Sequence, residues 1–143
     1  MKKYISIIAI CLSFMFDASA QKITNAGDLK KYYMEYLSNL VSDKVKTNAL
    51  VKAYCTQKLY AAWNEDVNEI GVYDPFTNGY HDPVMTRKTL QIQNKNDIYM
   101  VSFDYQTWPD NKTETEKILV FINSDGKIWQ TKRPSDGYVT PNE

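Results

Sequence analysis

From residue 26 the apolar positions recur at helical spacing. Leu29, Tyr32, Tyr33, Tyr36, Leu37, Leu40 and Val41 fall at i, i+3, i+4, i+7, i+8, i+11 and i+12. They lay one continuous stripe along a helix over residues 26–42. Asn25 or Gly27-Asp28 can cap its start. A second helical region runs from about 45 to 66. There Leu50, Val51, Tyr54 and Cys55 make one stripe, and Leu59, Tyr60 and Trp63 make another. Thr56 lies between them and suits an N-cap, so the pattern predicts two helices with a break at that residue.

The pattern changes at Gly71. Residues 71–87 carry Asp74-Pro75, Asn78-Gly79 and Asp82-Pro83, each a turn signal, and read as one long loop. Beyond it the period drops to two. Residues 88–93 (with Leu90 and Ile92), 97–107, 116–123 and 127–132 (with Ile128 and Trp129) read as four strands. Tyr99, Val101, Phe103 and Tyr105 share one face. Ile118, Val120 and Ile122 share another, with Leu119 and Phe121 opposite them. The links Asn94-Lys95-Asn96, Pro109-Asp110-Asn111-Lys112 and Ser124-Asp125-Gly126 are short and polar, which implies hairpins and an antiparallel meander. Helices followed by such a sheet make an α+β chain, with the helical stripe buried on the apolar sheet face.

The N-terminus changes the picture. Met1-Lys2-Lys3 is basic, residues 5–16 are almost wholly apolar, and Ala18-Ser19-Ala20 places small residues where a signal peptidase reads. This is the pattern of a secretory signal peptide cleaved between Ala20 and Gln21. Its apolar run is too short to span a bilayer. The expected product is exported, periplasmic or extracellular, with one domain over 21–133 and a polar C-terminal tail over 134–143. Cleavage of 20 of the 143 residues leaves 123, enough for one core. Loss of Lys2, Lys3 and Asp17 from 17 basic and 17 acidic residues leaves a charge of about −1. Without a basic stripe, nucleic acid is not an expected partner. Cys11 departs with the leader, so Cys55 has no partner for an intramolecular disulfide. It reads as a buried, inert thiol.

Short motifs carry a family resemblance. They are Tyr54-Cys55-Thr56 followed by Leu59, Tyr73-Asp74-Pro75-Phe76, His81-Asp82, and Ser124-Asp125-Gly126-Lys127-Ile128. With them the chain resembles small secreted bacterial proteins of domain of unknown function 3828, within the nuclear transport factor 2-like (ketosteroid isomerase-like, cystatin-like) folds. The resemblance spans most of residues 28–132. It implies helices packed on a curved four-stranded sheet, as in a cone, and an envelope location. It implies no settled activity.

Candidate chemistry concentrates in the 71–87 loop. His81, the single histidine, sits beside Asp82, with Tyr73, Asp74, Phe76 and Tyr80 close in sequence. Long irregular loops in compact domains are often functional. A His with two carboxylates could form a general-base pair or half a metal site, but too few ligands accompany it for zinc or calcium. No metal or cofactor is therefore expected. The plainer reading is that Asp74 and Asp82 cap turns before their prolines. Ketosteroid-isomerase-like catalysis needs a carboxylate in an apolar pocket, and alternation points Asp104 away from the aromatic face. Abundant tyrosine, 11 residues of a chain that is 13% aromatic, suits core and interface alike. The sequence thus favours a non-enzymatic binding module whose candidate surface is the loop with Trp108 and Trp129. Its partner would be an envelope protein, a toxin or a small apolar ligand. A homodimer and a small enzyme using the loop are the alternatives.

Overall fold

The computed structural model describes residues 21–66, 74–79, 82–96 and 98–134. Residues 1–20, on which the signal-peptide expectation rests, and residues 135–143 of the expected tail lie outside them. Helix α1 (Ala26–Asn39) is followed by α2 (Lys44–Tyr54), α3 (Gln57–Glu65) and α4 (Pro83–Thr89). Strands β1 (Gln91–Lys95), β2 (Ile98–Gln106), β3 (Thr113–Ile122) and β4 (Ile128–Lys132) form an antiparallel sheet in sequential order. The α+β class and the meander are as the pattern implied.

Local chemistry explains each helix start. The Asn25 side chain accepts from the Asp28 amide at 3.0 Å, and the Asp28 carboxylate accepts from the Thr24 amide and hydroxyl. Two otherwise orphan donors are so satisfied. Asp43 caps α2 and Thr56 caps α3. The break falls at Cys55, where the backbone turns extended and bridges Ile128. Lys127 donates through Nζ to the carbonyl of Ala53 in the last turn of α2, and to that of Gln21 at 3.0 Å. A cation at a helix C-terminus is favourably placed.

Two expectations need correction. The helical stripe does not reach Val41: α1 stops at Asn39, and Val41 is 80% exposed. The 71–87 segment is not one loop either. Asp82-Pro83 opens α4, with the Asp82 side chain accepting from the Val84 amide at 2.9 Å. Proline in the first helical turn with an aspartate cap is a helix start as readily as a turn. As a result β1 begins at Gln91, not at residue 88.

The inner sheet face carries Tyr99, Val101, Phe103, Ile118, Val120 and Ile128, all buried. Against it lies the α1 stripe, in which Tyr32, Tyr33 and Tyr36 are fully buried. The Tyr32 ring stands 5.7–5.9 Å from Tyr33 and Tyr36 and 5.1 Å from Tyr54. Such aromatic pairs contribute about 0.5–1.5 kcal/mol each beyond their buried area. The N-terminal segment crosses the β3–β4 turn, where the Ile23 amide donates to the Gly126 carbonyl at 2.9 Å. Gly126 has a φ of +74°, and a Cβ there would meet Lys22 Cβ at 2.9 Å. Glycine is required twice over, for the left-handed backbone and for the close approach.

Cys55 is buried, and burial pushes its thiol well above the ordinary value, against a weaker opposing pull from the Tyr32 hydroxyl and the Lys127 ammonium. Native protein should therefore react with a thiol reagent at least about 100-fold more slowly than the same protein in urea. Rapid labelling of the folded chain would contradict this placement.

Candidate functional site

Asp74-Pro75 is indeed a turn device. The Asp74 carbonyl accepts from the Asn78 amide at 2.7 Å and the Thr77 amide at 3.2 Å. One carboxylate oxygen accepts from the Phe76 amide at 2.9 Å, an Asx turn. The turn is buried, however, rather than displayed. Asp74, Phe76 and Thr77 are all buried, and Phe76 is fully enclosed by the tyrosines of α1. Its ring centroid lies 5.2 Å from that of Tyr36 and 5.5 Å from that of Tyr32.

A buried carboxylate must be compensated. Here α1 and α3 supply part of the compensation. Tyr36 lies on the buried stripe of α1 and donates its hydroxyl to Asp74 Oδ2 at 2.9 Å. Trp63, on the buried face of α3, donates Nε1 to the Tyr36 oxygen at 3.0 Å. The Thr77 hydroxyl lies 2.8 Å from Asp74 Oδ2 and 3.0 Å from the Gly79 carbonyl, and its single proton goes best to the charged acceptor. The chain Trp63–Tyr36–Asp74–Thr77 joins two helices to the 74–79 turn. Asn78 then donates to Glu116 on β3 at 2.8 Å, tying the turn to the sheet.

The electrostatics follow from burial. Desolvation raises the Asp74 carboxyl above its ordinary value, opposed by hydrogen bonds from the Phe76 amide, the Thr77 hydroxyl and the Tyr36 hydroxyl. Burial, and then the nearby Asp74 charge, push the Tyr36 phenol well above its ordinary value, so Tyr36 remains a proton donor to the carboxylate. A carboxylate offers about four acceptor sites, and three are engaged by this chain. The arrangement anchors a turn.

Of the other described candidates, Phe76 belongs to the Asp74 turn, whereas Asp82, Trp108 and Trp129 do not gather around it. Asp82 is exposed and caps α4. Arg87 in α4 donates to the Ser38 hydroxyl at 2.8 Å, clipping α4 to α1. Trp129 is half-buried, edge-on to Phe121 at 5.7 Å, on the sheet face opposite the core. Trp108 is 90% exposed at the β2–β3 hairpin tip. Tyr73, Tyr80 and His81 lie outside the described residues. Asp104 stands on the outer sheet face, as alternation implied, and accepts from the Thr115 hydroxyl at 2.7 Å. Tyr36, Trp63 and Thr77 were not legible as polar partners. Their positions read as core or turn, and their hydroxyl and N–H groups leave no trace in periodicity.

Among the described residues, no group of three or more His, Cys, Asp and Glu side chains is placed to hold a metal ion. No helix there is long and apolar enough to cross a membrane. Compared with family models, curated proteins and solved structures, the chain matches none.

Proposed function

We propose that the protein is an exported, non-enzymatic binding module of nuclear transport factor 2-like cone architecture, related to domain of unknown function 3828, that engages an envelope protein through the β2–β3 hairpin tip. The observation that carries this reading is Trp108, 90% exposed. A tryptophan is among the residues most enriched at binding hot spots. Its backbone setting is ordered. The Thr107 amide donates to the Lys112 carbonyl at 2.9 Å, and the Asn111 amide to the Thr107 carbonyl at 2.8 Å. Asn111 takes the left-handed conformation the turn needs, with a φ of +53°. An anchor held on a preformed loop loses little freedom on binding. The buried, donor-engaged state of Asp74 supports the non-enzymatic side of the reading.

Affinity capture from native envelope extract should recover a partner with the wild-type chain and lose it with Trp108→Ala, by about 10-fold or more. Thermal unfolding of the two proteins should coincide, because the side chain touches little of its own fold. Equal recovery by both would place the interface elsewhere.

A further inference from the structure

Strand β3 ends in an unbroken apolar run, Ile118-Leu119-Val120-Phe121-Ile122. Such a run is the mark of a strand covered on both faces, whereas a half-exposed antiparallel strand alternates. The inner face is covered: Ile118 and Val120 are buried in the core. On the outer face the strand register aligns Ile98 with Phe121, and Met100 with Leu119. These four half-buried side chains form a two-by-two apolar block that belongs neither to the core cluster nor to the side chains packed against it. Trp129 extends the block by its contact with Phe121.

Three lysines frame the block. Lys95 pairs with Ile98 at one side, Lys132 with Leu119 at the other, and Lys117 with Ser102 one row beyond. Along the described strands, the outer-face carboxylate is Asp104, a row further still and engaged by Thr115. The face is therefore apolar at the centre and cationic around it. A second copy docked face to face about a two-fold axis would set lysine frame against lysine frame, which opposes association.

We propose that this outer sheet face docks an acidic segment of a partner protein whose apolar side chains cover Ile98, Met100, Leu119 and Phe121 while its carboxylates meet the three lysines. This rests on the reading of the chain as a binding module and adds a second surface and the partner's chemistry. Opposite charge around an apolar centre supplies both selectivity and cover.

The probe is a fluorescein-labelled synthetic peptide in which glutamates alternate with leucine and phenylalanine. Its control carries lysine at every glutamate. By fluorescence anisotropy at low salt, the acidic peptide should bind about 10-fold or more tightly than the control, and added salt should weaken it. Lys117→Glu with Lys132→Glu should lose about 10-fold in affinity; Lys117→Gln with Lys132→Gln should lose less and serves if the reversal disturbs folding. Trp108→Ala should bind the peptide as the wild type does. The peptide assay reads the sheet face and the capture experiment reads the hairpin tip, so either can fail alone. Equal binding of both peptides, no binding at about 1 mM, or binding unaffected by the lysine changes would overturn the proposal. So would binding to phosphatidylglycerol vesicles without binding to the peptide, or a Leu119-dependent dimer in sedimentation.

Discussion

Replacing Tyr36 by alanine is expected to destabilise the protein by about 4 kcal/mol, the range of large aromatic truncations in well-packed cores. Two losses combine. The ring is fully buried and packs on Phe76 at 5.2 Å and on Tyr32 at 5.9 Å. Its hydroxyl also links Trp63 to Asp74, so the truncation leaves an indole N–H without its acceptor and a buried carboxylate short of one of its three donors. Tyr36→Phe separates the two, since it keeps the ring and removes the link. It should cost about 1.5 kcal/mol. Urea unfolding of the three proteins measures both. A loss under about 0.5 kcal/mol for Tyr36→Ala would mean that the α1 stripe does not face the core.

Asp74→Ala carries the second large effect, about 3 kcal/mol, because it leaves the Phe76 amide and the Tyr36 and Thr77 hydroxyls without the acceptor they share. The charge itself is revealed by pH. Burial raises the Asp74 carboxyl above its ordinary value, so the folded chain holds this proton more tightly than the unfolded chain. Between the ordinary value and the raised one, the folded state binds more protons. This group's contribution to stability therefore falls as pH rises through that window and is constant above it. Asp74→Asn removes the titration and keeps the shape. The wild type should gain stability relative to Asp74→Asn as pH is lowered toward the ordinary carboxylate range. A difference that stays flat, or runs the other way, would show that the carboxylate is not held in a desolvating site.

Among the described residues, tyrosine serves both as core filler and as a hydroxyl donor. Tyr32, Tyr33, Tyr36 and Tyr54 build the buried aromatic cluster, where Tyr serves as a bulky core residue. Tyr36 also supplies the hydroxyl that a buried carboxylate needs, and Tyr60 donates to Asn48 at 2.9 Å between α2 and α3. Among the described residues the aromatic displayed most openly is instead Trp108. An aromatic-rich composition alone does not distinguish these uses, because core and interface draw on the same residue types.

Periodicity settled the elements whose signal is local. The stripe from Leu29 to Leu37 and the Thr56 break between α2 and α3 follow from spacing and capping chemistry, which act over one or two helical turns. The strand faces follow as well, since alternation on β2 and β3 is an intrinsic consequence of the pleat. Asp82-Pro83 shows where local reading stops. The same dipeptide begins a turn or a helix, and the chain took the helix, with α4 packed against α1 and β2 and Arg87 bonded to Ser38. Asp74 shows it more sharply. Its Asx turn was legible, but whether that turn faced water or the core depended on Tyr36, 38 residues away, and on Trp63 beyond it. The sequence by itself determined the buried stripe of α1 from Leu29 to Leu37, the stripes of α2 and α3 and the faces of β2 and β3, because those patterns arise within one element. Tertiary structure alone decided that Asp74 is a buried anchor, that Trp108 stands free and that Phe121 and Leu119 join Ile98 and Met100 in one outer block, because burial and cross-strand neighbours are set by residues far apart in the chain.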